Sequence, residues 1–325
     1  KKIKMLKNYL IIFQILFSIT YQFWEGGHML VVQIAKQELI SKDPSLYQKI
    51  ENFVTILNPL CDSRSQTFVE AASWADDIKD DSMDFLFGWH FYDKPENEQG
   101  LYKILNPEGE KYNSVSAVKR AKEELLKQPY MKINNQFNIS LQQAFYMRLL
   151  IHIVGDIHQP LHNINMFNST YVDGDQGGNQ ENIYLPDGSK IILHSYFDSI
   201  TSKKEFDVQR PLKEDGVKAF ENFGKQFREQ YPRKSFGNRI NLDIIQWVQE
   251  SYDIGHKQIY PYFYKNQNVT KEFDQQMFNL LKEQITLGGY RLADFLIDIF
   301  EKKTQNEFQE KIKNIRQQNS QSQRI

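Results

Sequence analysis

The chain has 325 residues, of which 40% are hydrophobic, 14% are aromatic and 25% are charged. These values are typical of a globular protein, and the high aromatic content excludes an intrinsically disordered chain. Because 40 basic side chains balance 41 acidic ones, no broad basic field is available to hold nucleic acid by charge alone. Cys61 is the only cysteine, so no disulfide bond can form within the chain.

The first 22 residues have the pattern of a secretory signal peptide. Four lysines precede an apolar run from Tyr9 to Ile19, which is too short to span a bilayer comfortably. The alternative is a buried N-terminal helix. Removal of residues 1–22 would change the net charge from −1 to −5. Sequons at Asn138, Asn168 and Asn268 are consistent with a secretory route and with a glycoprotein.

Most of the remaining chain has helical periodicity. Apolar residues recur at helical spacing in five segments, namely 28–39, 115–126, 140–157, 242–260 and 277–300. Two short β-prone runs, 182–185 and 190–193, flank the turn dipeptide Asp187-Gly188 and predict a hairpin. We find no internal repeat and no linker. The sequence therefore predicts a mainly α fold, with one helical domain over 23–301 that carries a small β-hairpin. Residues 302–325 are almost wholly polar and predict a solvated tail.

Several of the seven histidines are spaced like metal ligands. His152 and Asp156 are four residues apart in a helical segment, so they share one face, and His194 and Asp198 repeat this spacing. His162 follows Gln159-Pro160, where the first of these helices should end. Imidazole and carboxylate donors without thiols suit zinc. Two such pairs and a third histidine predict more than one metal ion.

The segment from His152 to His162 resembles the signature of the S1/P1 nucleases, which are zinc enzymes that cut single-stranded DNA and RNA. Further motifs follow the same family in the same order. They are Phe23-Trp24-Glu25-Gly26-Gly27-His28, Trp74-Ala75-Asp76, His90-Phe91-Tyr92-Asp93, Gly177-Gly178-Asn179, Leu193-His194-Ser195-Tyr196-Phe197-Asp198 and Gly289-Tyr290-Arg291-Leu292-Ala293. The resemblance extends over nearly the whole of the chain after the signal segment and also implies the fold shared with bacterial zinc phospholipase C.

The resemblance implies three zinc ions in one cleft. The first would be bound by Asp76, His90, His152 and Asp156, and the second by His162, His194 and Asp198. The third would be bound by His28, the other oxygen of Asp156 and the first residue of the mature chain, through its amino nitrogen and carbonyl oxygen. That residue would be Phe23 after cleavage behind Gln22, or Trp24 after cleavage behind Phe23. The family normally has Trp five positions before the histidine, where this chain has Phe23.

The resemblance also assigns the remaining site residues. Asp76 would orient a water molecule and accept its proton, and Lys79 would contact a phosphate where the family usually has Arg. Phe91 would stack on a base and Asp93 would hydrogen-bond to it, although Phe91 is as readily an ordinary core residue. Asn179 would also bind substrate. His158 and His256 have no partner of this kind and are expected to be structural.

The expected activity is hydrolysis of single-stranded DNA and RNA to 5′-nucleotides, with 3′-nucleotidase activity as a second reaction. We expect a monomer, secreted or delivered to a lysosome or vacuole, without stable membrane association after signal cleavage. Three alternatives remain open. They are a zinc phospholipase C, a catalytically inactive zinc-binding protein and a helical scaffold with core histidines. The first usually has Glu at the position of Asp198, and Asp76 argues against the second.

Overall fold

A computed structural model describes residues 24–80, 83–97, 112–127, 140–199 and 208–322. The structure is mainly helical, as predicted. The helices in chain order are α1 (Trp24–Lys42), α2 (Pro44–Thr55), α3 (Trp74–Asp80), α4 (Ser114–Leu126), α5 (Leu141–Ile157), α6 (Leu193–Ser199), α7 (Glu214–Gln230), α8 (Arg233–Phe236), α9 (Ile244–Ile254), α10 (Tyr260–Phe263) and α11 (Lys271–Ser322). Single 3₁₀ segments at Glu70–Ser73, Asp84–His90 and Pro160–Asn163 lie between them and carry site residues.

Helix α1 lies at the centre of the molecule. Its residues from Met29 to Ala35 are all fully or nearly fully buried, on every side of the helix. A helix that is apolar all round is a core helix and not a surface helix. It packs against α11, α7, α2 and α5. His28 therefore lies at the start of a helix that other helices enclose.

Helix α5 is the second buried helix and carries two predicted ligands. A capping box between Ser140 and Gln143 fixes its first turn. The helix ends at Ile157, and Gln159-Pro160 begins a 3₁₀ turn, as the proline predicts. His152 and Asp156 lie on this helix and are almost fully buried. The capping box at the start of α5 and the proline after its end thus fix the helix that bears these two ligands, and both are visible in the sequence.

The structure contains the predicted hairpin and a second strand pair that the sequence did not indicate. Strands β3 (Asn182–Tyr184) and β4 (Lys190–Ile192) are antiparallel, within one residue of the predicted bounds. Strands β1 (Lys94–Asn97) and β2 (Ile164–Phe167) pair in parallel, with Lys94 opposite Ile164. β1 contains a proline and shows no alternation of burial, so its sequence lacks the period of a strand. This pair joins the segments that follow Asp93 and Asn163.

The prediction of one continuous α-helix over 242–260 was wrong. The helix is interrupted by a π-helical turn, Gly255–Ile259, between α9 and α10. The π turn shifts the helical register, and Pro261 cannot donate a backbone N–H in the turn that follows. The predicted polar tail continues α11 to Ser322 as a helix. Most of its described side chains beyond residue 301 are exposed, although Lys303 is buried.

No helix in the described part of the chain is long and apolar enough to cross a membrane. The proposed signal peptide and Phe23 lie outside the described residues. So does the sequon asparagine Asn138, whereas Asn168 is half-buried and Asn268 is exposed.

Candidate metal centre

The first group of predicted ligands comes together in a cluster that we call the central cluster: Asp76, His90, His152 and Asp156. His90 Nδ1 and His152 Nε2 lie 3.0 Å apart. Asp156 Oδ2 is 3.1 Å from the first nitrogen and 3.2 Å from the second. Asp76 Oδ1 lies 3.6 and 3.7 Å from the same two nitrogens.

These separations match the edges of a small tetrahedron. Four ligand atoms about 2.1 Å from a zinc ion lie about 3.4 Å from one another. Five of the six atom pairs of the central cluster, all except the pair of carboxylate oxygens, span 3.0 to 3.7 Å and bracket this value. The donor set therefore fits one tetrahedral metal ion.

A second group, the outer cluster, consists of His162, His194 and Asp198. The 3₁₀ turn after α5 supplies His162, and α6 supplies the other two residues, which are four positions apart. The Nε2 atoms of the histidines lie 3.7 and 3.6 Å from the Asp198 carboxylate oxygens, and the two rings stack with centroids 5.0 Å apart. Gln159 Nε2 donates a hydrogen bond of 2.9 Å to Asp198 Oδ1 and holds this carboxylate.

Asp156 connects the central cluster to His28. While its Oδ2 atom faces His90 and His152, its Oδ1 atom lies 3.1 Å from His162 Nδ1 and 3.4 Å from His28 Nε2. Both oxygens are buried and accept no hydrogen bond from the described residues. A buried carboxylate in this state needs compensating positive charge on both sides. Asp156 is therefore arranged to bridge two cations.

Three histidines are oriented by backbone carbonyl oxygens. The Nδ1 atom donates to Ala72 O in His152 (2.6 Å), to Gly177 O in His194 (2.7 Å) and to His90 O in His162 (3.2 Å). A carbonyl oxygen only accepts, so each Nδ1 carries a proton, and Nε2 is the atom through which each ring would bind a metal ion. This is the usual outer arrangement around metal-binding histidines.

The structure explains why glycine occurs at positions 177 and 178. Both residues have positive φ, and a Cβ on Gly177 would lie 2.3 Å from the carbonyl oxygen of Leu161. Only glycine fits, and the carbonyl of Gly177 is the group that orients His194. Asn179, predicted to bind substrate, is exposed, and its side chain donates to Gln176 O at 2.8 Å within its own turn. Its substrate role stays a prediction.

The electrostatics of the site reflect dense, buried charge. Burial opposes ionisation of Asp156, but the charges of His152 and His162 hold its pKa well below the usual range. Burial also lowers the pKa values of His28 and His194. For His162, burial acts against protonation, yet Asp156 and Asp198 raise its pKa to about 10. In the absence of metal, a proton on His162 thus supplies part of the positive charge that the carboxylates require.

Phe91, one of the predicted substrate residues, lies beside the outer cluster. The half-buried ring of Phe91 is centred 4.8 Å from the His162 ring and 6.0 Å from that of His194. Asp93 has a φ of 52°, a strained conformation for a residue other than glycine that is typical of functional positions. Lys79 lies on α3 and Trp24 begins α1, but their side chains are not among those described.

His158 and His256 lie outside the central and outer clusters, as expected. The buried His158 ring donates through Nδ1 to Val154 O and accepts from Arg291 through Nε2. Burial and the neighbouring Arg291 charge lower its pKa to about 3. The partly exposed His256 ring lies 2.7 Å from Glu96 Oε2.

Sequence reasoning missed a buried arginine that joins two ligand-bearing helices. Arg210 makes two hydrogen bonds of 2.8 Å to the Asp77 carboxylate and also binds Glu25. Asp77 follows Asp76 on α3, and Glu25 lies one turn before His28 on α1. Sequence separations of 133 and 185 residues gave no signal of these contacts.

Comparison with known proteins decides the family. The model of the S1/P1 nuclease family matches residues 23–301. The chain belongs to the S1/P1 nuclease family. It is also 28% identical over 185 residues to nuclease S1 of Aspergillus oryzae, a match that covers 56% of this chain and 55% of the relative. The chain thus spans just over half the length of that curated relative.

Proposed function

We propose that this protein is a zinc-dependent phosphodiesterase that hydrolyses single-stranded DNA and RNA to 5′-nucleotides, with 3′-nucleotidase activity as a second reaction. The observation that carries the proposal is the position of Asp156, whose two oxygens face different histidine groups. Membership of the S1/P1 nuclease family supports the reaction class. The alternative of core histidines does not account for nitrogens gathered around buried carboxylates.

We assign three zinc ions to these donors. The central cluster would hold one ion and the outer cluster a second. His28, Asp156 and the amino end of the mature chain, Phe23 or Trp24, would hold the third. Nitrogen and oxygen donors without thiolates suit zinc. Zinc bound here would supply positive charge and Lewis acidity, which favour the ionisation of water near neutral pH.

Asp76 is the residue we assign to proton transfer. One of its oxygens faces His90 and His152, and its side chain is 18% exposed, unlike the nearly inaccessible Asp156. Its carboxylate therefore lies against the metal-ligand nitrogens of His90 and His152. In the proposed reaction it orients the attacking water molecule and accepts its proton. Lys79, one turn along α3, would add positive charge near the phosphate, as a point charge and not as a bidentate fork.

Phe91 and Asp93 would explain a preference for single strands. Aromatic rings bind unpaired bases by stacking, which a base inside a duplex cannot offer. Phe91 contacts the ring of His162, so a base on Phe91 would place its phosphate close to the clusters. Asp93 would accept a hydrogen bond from that base, and Asn179 would bind nearby.

The route through the cell remains part of the proposal. We propose that residues 1–22 are a signal peptide and that the mature protein is a secreted, lysosomal or vacuolar monomer. Cleavage directly before Phe23 or Trp24 would create the amine that the third ion needs. An α-amine has an ordinary pKa of about 8, so it can lose its proton to a metal ion near neutral pH.

Two substrates tested in parallel discriminate the alternatives. The purified mature protein is assayed on single-stranded DNA and on phosphatidylcholine, with and without chelator. We expect cleavage of DNA only, lost with chelator and restored by zinc. Hydrolysis of phosphatidylcholine instead would indicate a phospholipase C, and bound zinc without either reaction would indicate an inactive binding protein. Undiminished DNA cleavage by protein verified to be metal-free would contradict the proposal.

A further inference from the structure

Phe87 is a large apolar side chain on the surface beside the proposed nucleotide site. It is 56% exposed. Its ring is centred 5.1 Å from that of Phe91, which in turn is 4.8 Å from His162. A row of rings therefore leads from the outer cluster to solvent.

The 3₁₀ segment Asp84–His90 explains this placement. Residues three apart eclipse one another in a 3₁₀ helix and are separated by about 6 Å along its axis. Leu86 and Trp89 share one face of the segment and are buried in the core. Phe87 and His90 share another face, which carries the metal ligand. The exposed ring of Phe87 is thus on the same side as the metal centre, about one turn away.

The exposed aromatic surface continues beyond Phe87. Tyr112 is also more than half exposed, and its backbone packs against Gly88, where an added Cβ would lie 3.0 Å from the Tyr112 carbonyl oxygen. The backbone N–H of Ser114 donates to the carbonyl of Phe91 at 2.9 Å, so the two segments are held together. Phe87 therefore belongs to a supported surface and not to an isolated side chain.

We propose that Phe87 is a second base-stacking subsite, which takes the base next to the one on Phe91 in a single-stranded nucleic acid. The inference rests on the proposed function and extends it to substrates longer than one nucleotide. The ring centroids are 5.1 Å apart, more than the rise of about 3.4 Å per nucleotide in a stacked strand. Two neighbouring bases would separate, and each would stack on its own ring.

The test compares substrate lengths. The variants are Phe87→Ala, Phe87→Trp and the control Leu60→Ala, which truncates a side chain that is 74% exposed in the 3₁₀ turn Asn58–Leu60. A stacked base contributes about 1–3 kcal/mol, or roughly 5- to 150-fold in affinity. For Phe87→Ala we expect KM on a single-stranded oligonucleotide of about eight residues to rise at least fivefold more than KM on a 3′-mononucleotide, which has no second base. Phe87→Trp should recover most of this loss, and Leu60→Ala should show none.

A second readout does not need catalysis. Binding of the same fluorescent oligonucleotide to the zinc-loaded but inactive Asp76→Asn protein, followed by anisotropy, should weaken at least fivefold when Phe87→Ala is added. Equal effects on short and long substrates, or unchanged anisotropy, would overturn the subsite. If the wild-type protein binds the oligonucleotide in a Phe87-dependent way but does not cleave it with zinc, the proposed reaction fails while the subsite stands.

Discussion

Gly155 is the point at which α5 approaches His28, and an alanine there should remove one metal ion. An ideal Cβ on Gly155 would lie 2.3 Å from His28 Nδ1 and 3.0 Å from its Cε1. Ordinary contact between such atoms is about 3.5 Å. The His28 ring must therefore move by about 1.2 Å, whereas metal–ligand distances vary by only about 0.2 Å. We expect Gly155→Ala to bind about one zinc ion fewer than the wild-type protein.

The stability change should be smaller than this geometric effect suggests. Overpacking costs about 1–3 kcal/mol, and replacing a helical glycine with alanine returns up to about 1 kcal/mol. The assay is zinc content by elemental analysis, with thermal unfolding of the metal-free proteins as a check on folding.

Gly289→Ala is the matched control. Its Cβ would lie 2.5 Å from Ile34 Cγ2 and 3.0 Å from the Val31 carbonyl oxygen, so it strains the same helix α1 without touching a proposed ligand. It should lower stability but keep the full zinc content. If Gly155→Ala folds and retains every zinc ion, His28 is not a ligand and the reasoning is refuted.

Three further predictions concern the metal centre. Asp76→Asn should keep its zinc-loaded fold and lose at least about a hundredfold in kcat; more than a tenth of the wild-type rate would exclude Asp76 as the proton acceptor. An uncleaved tag before Phe23 should convert the terminal amine to an amide and remove one zinc ion and most activity, whereas full zinc content would show that the terminus is not a ligand. Glu25→Gln should weaken binding of the weakest-held zinc ion by loosening the first turn of α1 from Arg210. Glu38 lies further along α1 and pairs with Arg228 and Arg233, so Glu38→Gln should lower stability without this effect, and equal effects would contradict the idea.

The candidate ligands could be predicted because their spacing is local. His152 and Asp156, and likewise His194 and Asp198, are four residues apart on helices, and the structure places each pair on one face. The buried helices were equally visible as apolar periodicity. Sequence alone could therefore predict the mainly α class and the residues that meet at the centre.

Features that depend on contacts between distant segments could not be predicted. The β1–β2 ladder consists of main-chain pairing across 70 positions, as between Lys94 and Ile164, and leaves no side-chain period. The contact of Gly155 with His28 depends on how two helices cross. The Arg210 pairs and the carbonyls that orient the histidines are set by the completed fold. These contacts determine the exact ligand geometry. The spacing of residues in the sequence therefore predicts which residues are ligands, but not the contacts that hold them in place.

A zinc titration of metal-free mature protein tests the central claim most directly. Bound zinc per chain and the rate of single-stranded DNA cleavage are measured on the same samples. We predict that activity appears only as the sites fill and reaches its maximum near three zinc ions per chain. Cleavage at full rate without bound zinc, or a protein that binds no zinc at all, would contradict the account.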